Sequence, residues 1–305
     1  MIKKNIVILF TLFTLSASSQ EIPLFSQYIF NGLLLNPAYA GSRDVLSVSL
    51  MNRDQWSGFS GAPYYQSLSA HTPTRNPKIG VGFLFLNENT GKYSNTQAHF
   101  NYSYQIKTER GAFSIGFKAG IVYANFNYKN LFTNDYDIAF NNSADNYLLP
   151  NFGVGAYYFS NKYFIGFSIP YLLSYKQNST KDGFEINQSI DQYQFLLTSG
   201  FLWQITDGFK LKPSTLVKYN RTYGIESDLN INAIILNDKL WLGAGYRLSE
   251  AIVSMVEYQL NPQFRFGYSY DYSMSNNSIL RFSSHEFSLR YEFSYRLKAA
   301  NPRYF

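Results

Sequence analysis

Apolar and polar residues alternate along the C-terminal part of the chain, between residues 250 and 297. Successive side chains of a β-strand point to opposite faces, so each strand there has one aromatic face and one charged face. A soluble sandwich would need a second sheet to cover the aromatic face. A transmembrane β-barrel instead turns that face to lipid and encloses the polar one. The last segment sets Phe287, Leu289, Tyr291, Phe293, Tyr295 and Leu297 against Glu286, Ser288, Arg290, Glu292, Ser294 and Arg296.

Alternation of this kind, bounded by turn residues, predicts about fourteen strands along the whole chain. No helical period of useful length and no fixed-length repeat is present, so a propeller or a β-helix is not indicated. The predicted strands cover residues 45–54, 63–72, 78–87, 94–107, 112–127, 151–159, 163–171, 189–205, 209–220, 225–236, 239–248, 250–260, 263–273 and 284–297.

The connections between the predicted strands fall into two classes that alternate along the chain. The even-to-odd connections are all short and rich in Gly, Pro, Asn or Asp, as tight hairpins require. The odd-to-even connections include every long one, at residues 128–150, 172–188 and 274–283. This asymmetry is typical of an outer-membrane barrel, which has short periplasmic turns and longer outer loops. The predicted fold is therefore an all-β, antiparallel transmembrane barrel of about fourteen strands.

The polar positions that alternate with the aromatic ones in the last strands predict a charged lumen. Charges of both signs in a water-poor lumen are costly unless they pair, so we expect mutual ion pairs or a wet interior. A polar network that fills the lumen is favoured over a selectivity filter, because dispersed charge of both signs selects poorly for either sign. The residues assigned to this network are Glu257, Arg265, Asp271, Glu286, Arg290, Glu292 and Arg296.

Composition agrees with a barrel. Aromatic residues make up 19% of the chain, with 27 Tyr and 27 Phe, as a lipid-facing surface with interfacial girdles requires. The mean hydropathy of −0.21 does not argue against a barrel, because half of each strand is polar. The absence of cysteine excludes thiolate chemistry and cysteine metal sites. A net charge of +6, or +4 without Lys3 and Lys4, is too small and dispersed to indicate nucleic acid.

The two ends of the chain lie outside the predicted barrel. A basic start, an apolar run at Ile6–Leu15 and the small residues Ala17–Ser19 predict a signal peptide over residues 1–19, cleaved before Gln20. Export through such a signal and insertion of a barrel place the protein in the outer membrane of a Gram-negative cell. Residues 20–44 lack alternation and are expected to form either a plug in the lumen or a periplasmic extension. Residues 298–305 form a short C-terminal tail.

Candidate chemistry is sparse. The three histidines, His71, His99 and His285, are far apart in sequence, and a hydrolase would need His99 beside a nucleophile and an orienting acid. The acidic and amide residues between Asn134 and Asp145 match no calcium loop, and turn formation explains them better. We therefore expect no enzymatic activity, no cofactor and no metal.

Two segments combine turn chemistry with aromatic anchors. In the first, Ser26-Gln27-Tyr28 is followed by Asn36–Gly41, where Asn before Pro favours a turn and Gly41 can adopt a positive φ. The second, Gln55–Pro63, joins the first two strands and predicts a sharply folded outer loop. Exposed aromatics at the loop bases, such as Trp56, Tyr64 and Tyr65, could bind sugar or peptide, although an interfacial girdle explains them more simply. The candidates for partner docking or plugging are Tyr28, Asn36, Pro37, Tyr39, Gly41, Trp56, Gly58, Gly61 and Pro63.

These segments, with His71, Pro73, Gly111–Gly120 and Ser284-His285-Glu286, resemble the PorP/SprF membrane proteins of the type IX secretion system of Bacteroidetes. The resemblance covers essentially the whole mature chain. It implies an outer-membrane barrel that helps to secrete, or to retain on the cell surface, a partner with a C-terminal sorting domain. Such partners include large adhesins used in gliding motility. The resemblance also implies contact with other components of the secretion system, and it brings no catalytic residues.

Three functional hypotheses follow. The first is a non-enzymatic barrel of a secretion system, whose outer loops or lumen mouth recognise an extended segment of a secreted surface protein. The second is a passive transporter for small or hydrophobic solutes, with residues 20–44 as a movable hatch. The third, an outer-membrane hydrolase, requires His99 to lie beside a serine and an acid. We favour the first.

Overall fold

The computed structural model describes residues 25–126, 145–177, 184–187, 190–222, 224–248, 250–274 and 282–293. Within them, a single antiparallel sheet closes into a fourteen-stranded barrel. The strands are β1 (Leu46–Asp54), β2 (Tyr64–Pro73), β3 (Ile79–Thr90), β4 (Tyr93–Lys107), β5 (Gly111–Phe126), β6 (Asp145–Ser160), β7 (Tyr163–Ile169), β8 (Ser174–Gln177), β9 (Phe184–Asn187), β10 (Gln194–Phe201), β11 (Trp203–Thr206), β12 (Phe209–Asn220), β13 (Gly224–Ile235), β14 (Leu240–Arg247), β15 (Ala251–Gln259), β16 (Phe264–Ser273) and β17 (Ser284–Phe293).

Closure follows from nearest-neighbour pairing around the whole barrel. Each barrel strand pairs with the strands before and after it, and β1 pairs with β17 in a register that sets Leu46 opposite Phe293. β10 and β11 together form one barrel strand, which lies between β7 and β12 and is interrupted at Leu202. β8 and β9 form a separate two-stranded hairpin. The predicted barrel and its strand number are therefore confirmed.

The two ends of the barrel differ. At one end, short connections such as residues 74–78, 161–162 and 207–208 join successive strands, and we name it the short-turn end. The other end carries the connections after β1, β5, β7 and β16, and we name it the long-loop end. By the usual asymmetry of outer-membrane barrels, the short-turn end faces the periplasm.

The aromatic parity of the strands faces outward, as the alternation predicts. Phe266 is 47% exposed, Ile115 55% and Phe287 56%, although all three lie in the middle of paired strands. Such exposure of large apolar side chains is the property of a surface that lipid covers. No helix among the residues described above has the length and apolar character needed to cross a membrane.

Several strand boundaries differ from the prediction. β6 begins at Asp145, inside the predicted loop 128–150, because β5 is long enough to pair with it as far as Phe126. Pro150 argued against a strand here, because proline lacks the N–H that a paired strand donates. Proline is tolerated on the side of a strand that has no neighbouring strand. That edge is free of strand pairing because β7 ends at Ile169, opposite Val154.

The predicted strand 189–205 is also divided. A 3₁₀ turn occupies Ile190–Gln192, and the register shifts between Gln204 and Thr206. The hairpin of β8 and β9 lies in the predicted loop 172–188. Several predictions fall wholly or partly outside the described residues, among them the signal peptide 1–19, the start of the segment 20–44, the segment 134–142, the loops 128–150, 172–188 and 274–283, the end of the strand 284–297 with Arg296, and the tail 298–305.

Candidate functional site

The lumen contains the chain's own N-terminal segment. We name residues 25–44 the luminal segment. Three 3₁₀ turns, Tyr28–Phe30, Gly32–Leu34 and Pro37–Tyr39, give it a compact path, and every residue from 25 to 43 except Gly32 is buried. Short turns of this kind satisfy backbone groups locally, as a segment that pairs with no strand requires. The segment therefore fills the barrel interior rather than extending away from it.

The luminal segment runs from the long-loop end to the short-turn end. Near its start, Ser26 contacts Asp271 and Glu286, which lie two residues from the long-loop ends of β16 and β17. Near its end, the carbonyl of Ala40 accepts hydrogen bonds from Ser103 and Gln105, close to the short-turn end of β4. The chain therefore traverses the lumen before it turns into β1.

This direction predicts the exposure of an epitope inserted directly before Phe25. Because Phe25 lies at the long-loop end, packed against Tyr65 near the start of β2, we expect an antibody to detect the epitope on intact cells. The same epitope inserted between Asn161 and Lys162, at the short-turn end, should be detected only after permeabilisation. Detection of the Phe25 epitope only in permeabilised cells would contradict the direction described here.

Asn36 joins the luminal segment to the barrel wall. Its backbone is extended, with φ −142° and ψ 117°, and its side-chain oxygen accepts a hydrogen bond from the Ala38 N–H at 2.9 Å, which caps the turn that begins at Pro37. The Asn36 amide nitrogen donates to the carbonyls of Ala156 and Phe167, at 2.9 and 3.2 Å. One side chain thus shapes the turn and holds it against β6 and β7.

The end of the segment packs against β2 and β3. Gly41 has a φ of +71°, and its N–H donates to Nδ1 of His71 at 3.1 Å. A Cβ at Gly41 would lie 2.7 Å from the Cα of Gly80, so both the conformation and the space require glycine. The ring of Tyr39 packs edge-on against His71 and Tyr157, with centroid distances of 5.2 and 5.5 Å.

A buried cluster of charges surrounds the start of the luminal segment. We name Arg53, Asp228, Arg247, Asp271 and Glu286 the charged ring. Two guanidinium groups face three carboxylates: Arg53 lies 2.7 Å from Asp271 and 3.2 Å from Glu286, and Arg247 lies 3.1 Å from Asp228 and 3.3 Å from Asp271. All five residues are buried. Because buried charges are stable only when paired and hydrogen-bonded, each member depends on the others.

Ser26 and Gln27 occupy the centre of the charged ring. The backbone N–H groups of both residues donate to the Glu286 carboxylate, at 2.8 and 2.9 Å. The Ser26 hydroxyl donates to Asp271 at 2.7 Å and accepts from Arg53 and Arg247, at 3.1 and 3.2 Å. Hydrogen bonds to charged groups are stronger than neutral ones, so this short motif holds the segment firmly at the long-loop end.

The remaining predicted network residues form a second group, nearer the short-turn end. Arg265 pairs with Glu257 at 3.4 Å, and Glu292 lies between Arg290 at 3.3 Å and Arg43 of the luminal segment. Nη1 of Arg290 also donates to the carbonyl of Phe30 at 3.0 Å. Charges of the wall therefore contact the segment near both of its ends.

Four glycines of the wall make room for the segment. A Cβ at Gly80, Gly116, Gly155 or Gly267 would overlap Ala40, Ala38, Asn36 or Gln27, respectively. These glycines lie in four different strands, where glycine otherwise weakens a sheet. Their occurrence in strand interiors is explained by close approach of the segment, through its backbone at Gly80 and Gly116 and through the side chains of Asn36 and Gln27 at Gly155 and Gly267.

The outer loop Gln55–Pro63 forms a separate feature at the long-loop end. Trp56 has a φ of +53°, and Gly58 and Gly61 also have positive φ. The N–H of Trp56 donates to the Ser284 hydroxyl at 3.1 Å, while Phe59 is 40% exposed and packs against Phe282. Pro63 is buried at the base of the loop.

The structure thus divides the predicted site residues into two groups. Tyr28, Asn36, Pro37, Tyr39 and Gly41 lie in the luminal segment, whereas Trp56, Gly58, Gly61 and Pro63 belong to the outer loop. Sequence reasoning missed Arg53, Arg43, Asp228, Arg247 and the four wall glycines. The alternation rule could have assigned Arg53 to the lumen, because it shares the parity of Ser47, Ser49 and Met51 in β1.

The geometry offers little for catalysis. His99 is fully buried, and neither ring nitrogen has a hydrogen-bond partner among the described residues, so the arrangement that a hydrolase needs is not formed there. Within the same residues, no group of three His, Asp or Glu side chains is placed to hold a metal ion.

Two small cavities border the luminal segment among the described residues. A cavity of about 20 Å³ lies among Tyr28, Tyr39, Tyr157 and Phe164. A second, of about 10 Å³, lies beside Phe30, Arg265 and Arg290. Each has room for about one water molecule at most. Neither cavity is large enough for a solute to pass.

Solved outer-membrane barrels share this architecture. The Ralstonia pickettii toluene transporter TbuX has a TM-score of 0.53 and 10% sequence identity, with 88% of this chain and 93% of that chain covered. The P. putida toluene transporter TodX has a TM-score of 0.50 and 10% identity, with 86% and 94% covered. At these identities the likeness shows the fold alone.

No curated protein sequence matches this chain significantly. A family model does match: the one described as "Type IX secretion system membrane protein PorP/SprF" aligns with residues 17–291, which include the whole luminal segment and all strands but the end of β17.

Proposed function

Because the chain belongs to the PorP/SprF family of type IX secretion system membrane proteins, we propose that it is a non-enzymatic outer-membrane component that assists secretion or surface attachment of a partner protein. The observation that carries this proposal is the filled lumen. A barrel whose interior is occupied by its own buried N-terminal segment is suited to docking rather than to conduction. Export with removal of residues 1–19 belongs to the same proposal.

The partner in this proposal is a secreted surface protein with a C-terminal sorting domain, such as an adhesin. The long-loop end supplies the docking surface, where the outer loop Gln55–Pro63 presents Phe59 beside Phe282. Trp56, Gly58 and Gly61 hold backbone conformations with positive φ, and we expect that shape to matter for recognition. The luminal segment acts as the plug, with Tyr28, Asn36, Pro37, Tyr39 and Gly41 as its anchors.

Deletion of the gene tests this function. We expect the partner to disappear from the cell surface, as measured by protease accessibility on intact cells, and to accumulate inside the cell or in the medium. Expression of the wild-type chain from a plasmid should restore surface display. A partner that remains exported and surface-bound in the deletion strain would refute the proposal.

A passive transporter is the second candidate. The likeness to the toluene transporter TbuX favours it at the level of fold, and the exposed bend at Asp44 would let the luminal segment move as a hatch. Reconstitution of the wild-type protein into vesicles separates the two functions. Solute uptake or ion conductance above that of empty vesicles supports the transporter, and the absence of both removes it.

A further inference from the structure

Backbone groups of the luminal segment are hydrogen-bonded by the barrel wall along the length of the segment, in addition to the contacts that its side chains make. Wall side chains from five strands hydrogen-bond main-chain atoms along the segment, and most of these groups are neutral. Such contacts are open to any peptide that follows the same path, because they do not depend on side-chain identity. The wall residues are Glu286, bound to the N–H groups of Ser26 and Gln27, Arg290 to the Phe30 carbonyl, Ser168 to that of Leu35, Ser114 to that of Ala38, Ser103 and Gln105 to that of Ala40, and His71 to the Gly41 N–H.

The shape of the wall adds selectivity to these backbone contacts. Gly116 and Gly80 let the backbone of the segment approach closely at Ala38 and Ala40. Both alanines are fully buried, so a larger side chain at either position would have no free space. Tyr39, between the two alanines, points into an aromatic pocket formed by His71 and Tyr157. The wall therefore selects a peptide with the pattern small, aromatic, small.

The barrel does not need the segment for its own strand pairing. The ladder closes between β1 and β17 and between β10 and β12 without any strand from residues 25–44. The ion pairs of the charged ring also join wall residues to each other, so they can persist with water in place of Ser26. The segment thus resembles a bound ligand more than a structural element.

A single bend attaches this ligand to the barrel. Asp44 is exposed, has a φ of +56°, and lies two residues before the start of β1 at Leu46. Residues that absorb backbone rotation at the end of an element are typical hinges. The covalent connection therefore permits the segment to leave as a unit from the short-turn end.

We propose that the lumen is a peptide-binding site whose resident occupant is the chain's own luminal segment, and which accepts in exchange a peptide of a partner polypeptide that adopts the same path of short turns. The ligand has small residues where Ala38 and Ala40 lie, an aromatic ring at the place of Tyr39, and neutral hydrogen-bonding side chains at the charged ring. This inference rests on the proposed function, in which a secreted partner is recognised, and specifies the site and the chemistry of that recognition.

The test uses the full chain with a specific protease site inserted between Asp44 and Val45, where the backbone is accessible. The purified protein is cut in detergent and mixed with a fluorescent synthetic peptide of residues 25–43. We expect the cut barrel to bind the labelled peptide saturably, as measured by anisotropy, while the uncut barrel binds none. The unlabelled peptide should compete fully, and a peptide with Ala38→Leu should compete at least about tenfold less well, because overpacking of a filled site is destabilising.

Matched variants of the cut barrel make the result specific. Gly116→Val should abolish peptide binding, whereas Gly208→Val should not alter it, because a Cβ at Gly208 meets nothing within 4 Å. Binding of a scrambled peptide with equal affinity would overturn the proposal. So would failure of the labelled peptide to enter the cut barrel at any concentration. Because the assay uses only purified protein, it can fail while gene deletion still abolishes surface display, and the reverse also holds.

Discussion

Substitution Arg53→Met should destabilise the barrel by about 3–5 kcal/mol, the cost of removing one partner from a buried ion pair. Arg53 bridges Asp271 and Glu286 and donates to the Ser26 hydroxyl, and all four residues are buried. Without its guanidinium, the charged ring keeps only Arg247 to offset three carboxylates. Urea unfolding in detergent, followed by tryptophan fluorescence, measures the change in free energy of unfolding.

Two further variants show whether charge is the cause. The double variant Arg53→Met with Glu286→Gln should recover part of the lost stability, because it removes the carboxylate whose ion pair with Arg53 is lost. Arg221→Ala breaks an ion pair of similar length with Asp191, but those side chains are 69% and 48% exposed, so we expect a change of about 0–1 kcal/mol. Equal effects of Arg53→Met and Arg221→Ala would contradict the assigned role of the ring.

Substitution Gly116→Val should displace the luminal segment from its position against β5. The added Cβ would overlap the backbone of Ala38, and β5 cannot retreat because β4 and β6 pair with it on both sides. The segment must move instead, and we expect the lumen to open and the conductance in planar bilayers to rise above the wild-type value. The cost in stability should be about 1–3 kcal/mol, as for other overpacked sites.

A thiol probe measures the same displacement by a method that does not depend on conductance. The chain has no cysteine, so Ser42→Cys places a unique thiol at a buried position of the segment. We expect maleimide to label it slowly in the otherwise wild-type protein and rapidly in the Gly116→Val background. Gly208→Val serves as the control and should leave both labelling and conductance unchanged. Slow labelling in the Gly116→Val protein would show that the segment tolerates the added side chain.

Much of the wall was predictable from alternation alone. Parity assigned Glu257, Asp271 and Glu286 to the interior and Phe266 and Phe287 to lipid. The three acidic residues are buried, and the two aromatic residues are exposed. The reason is that side chains of a β-strand alternate strictly between its two faces. The sequence of one strand is therefore enough to assign its residues to the two faces. The same rule, applied to β1, β13 and β14, would have included Arg53, Asp228 and Arg247.

The contents of the lumen were not predictable in the same way. The segment 20–44 has no periodicity, and its sequence allowed either a plug or a periplasmic extension. Nothing local indicates that Ser26 meets Asp271, 245 residues away, or that Asn36 meets Phe167, 131 residues away. Such contacts depend on where closure of the barrel brings distant strands.

Alternation and turn chemistry act over a few residues, so the strand number, the closed antiparallel barrel and its lipid-facing surface were predictable without coordinates. The folded chain was needed to show that residues 25–43 lie within the lumen, that five charges from five strands form one ring, and that Gly80, Gly116, Gly155 and Gly267 make room for the segment. These features arise from packing between parts of the chain that are remote in sequence. The free energy of that packing depends on both surfaces together, so neither surface alone specifies its partner.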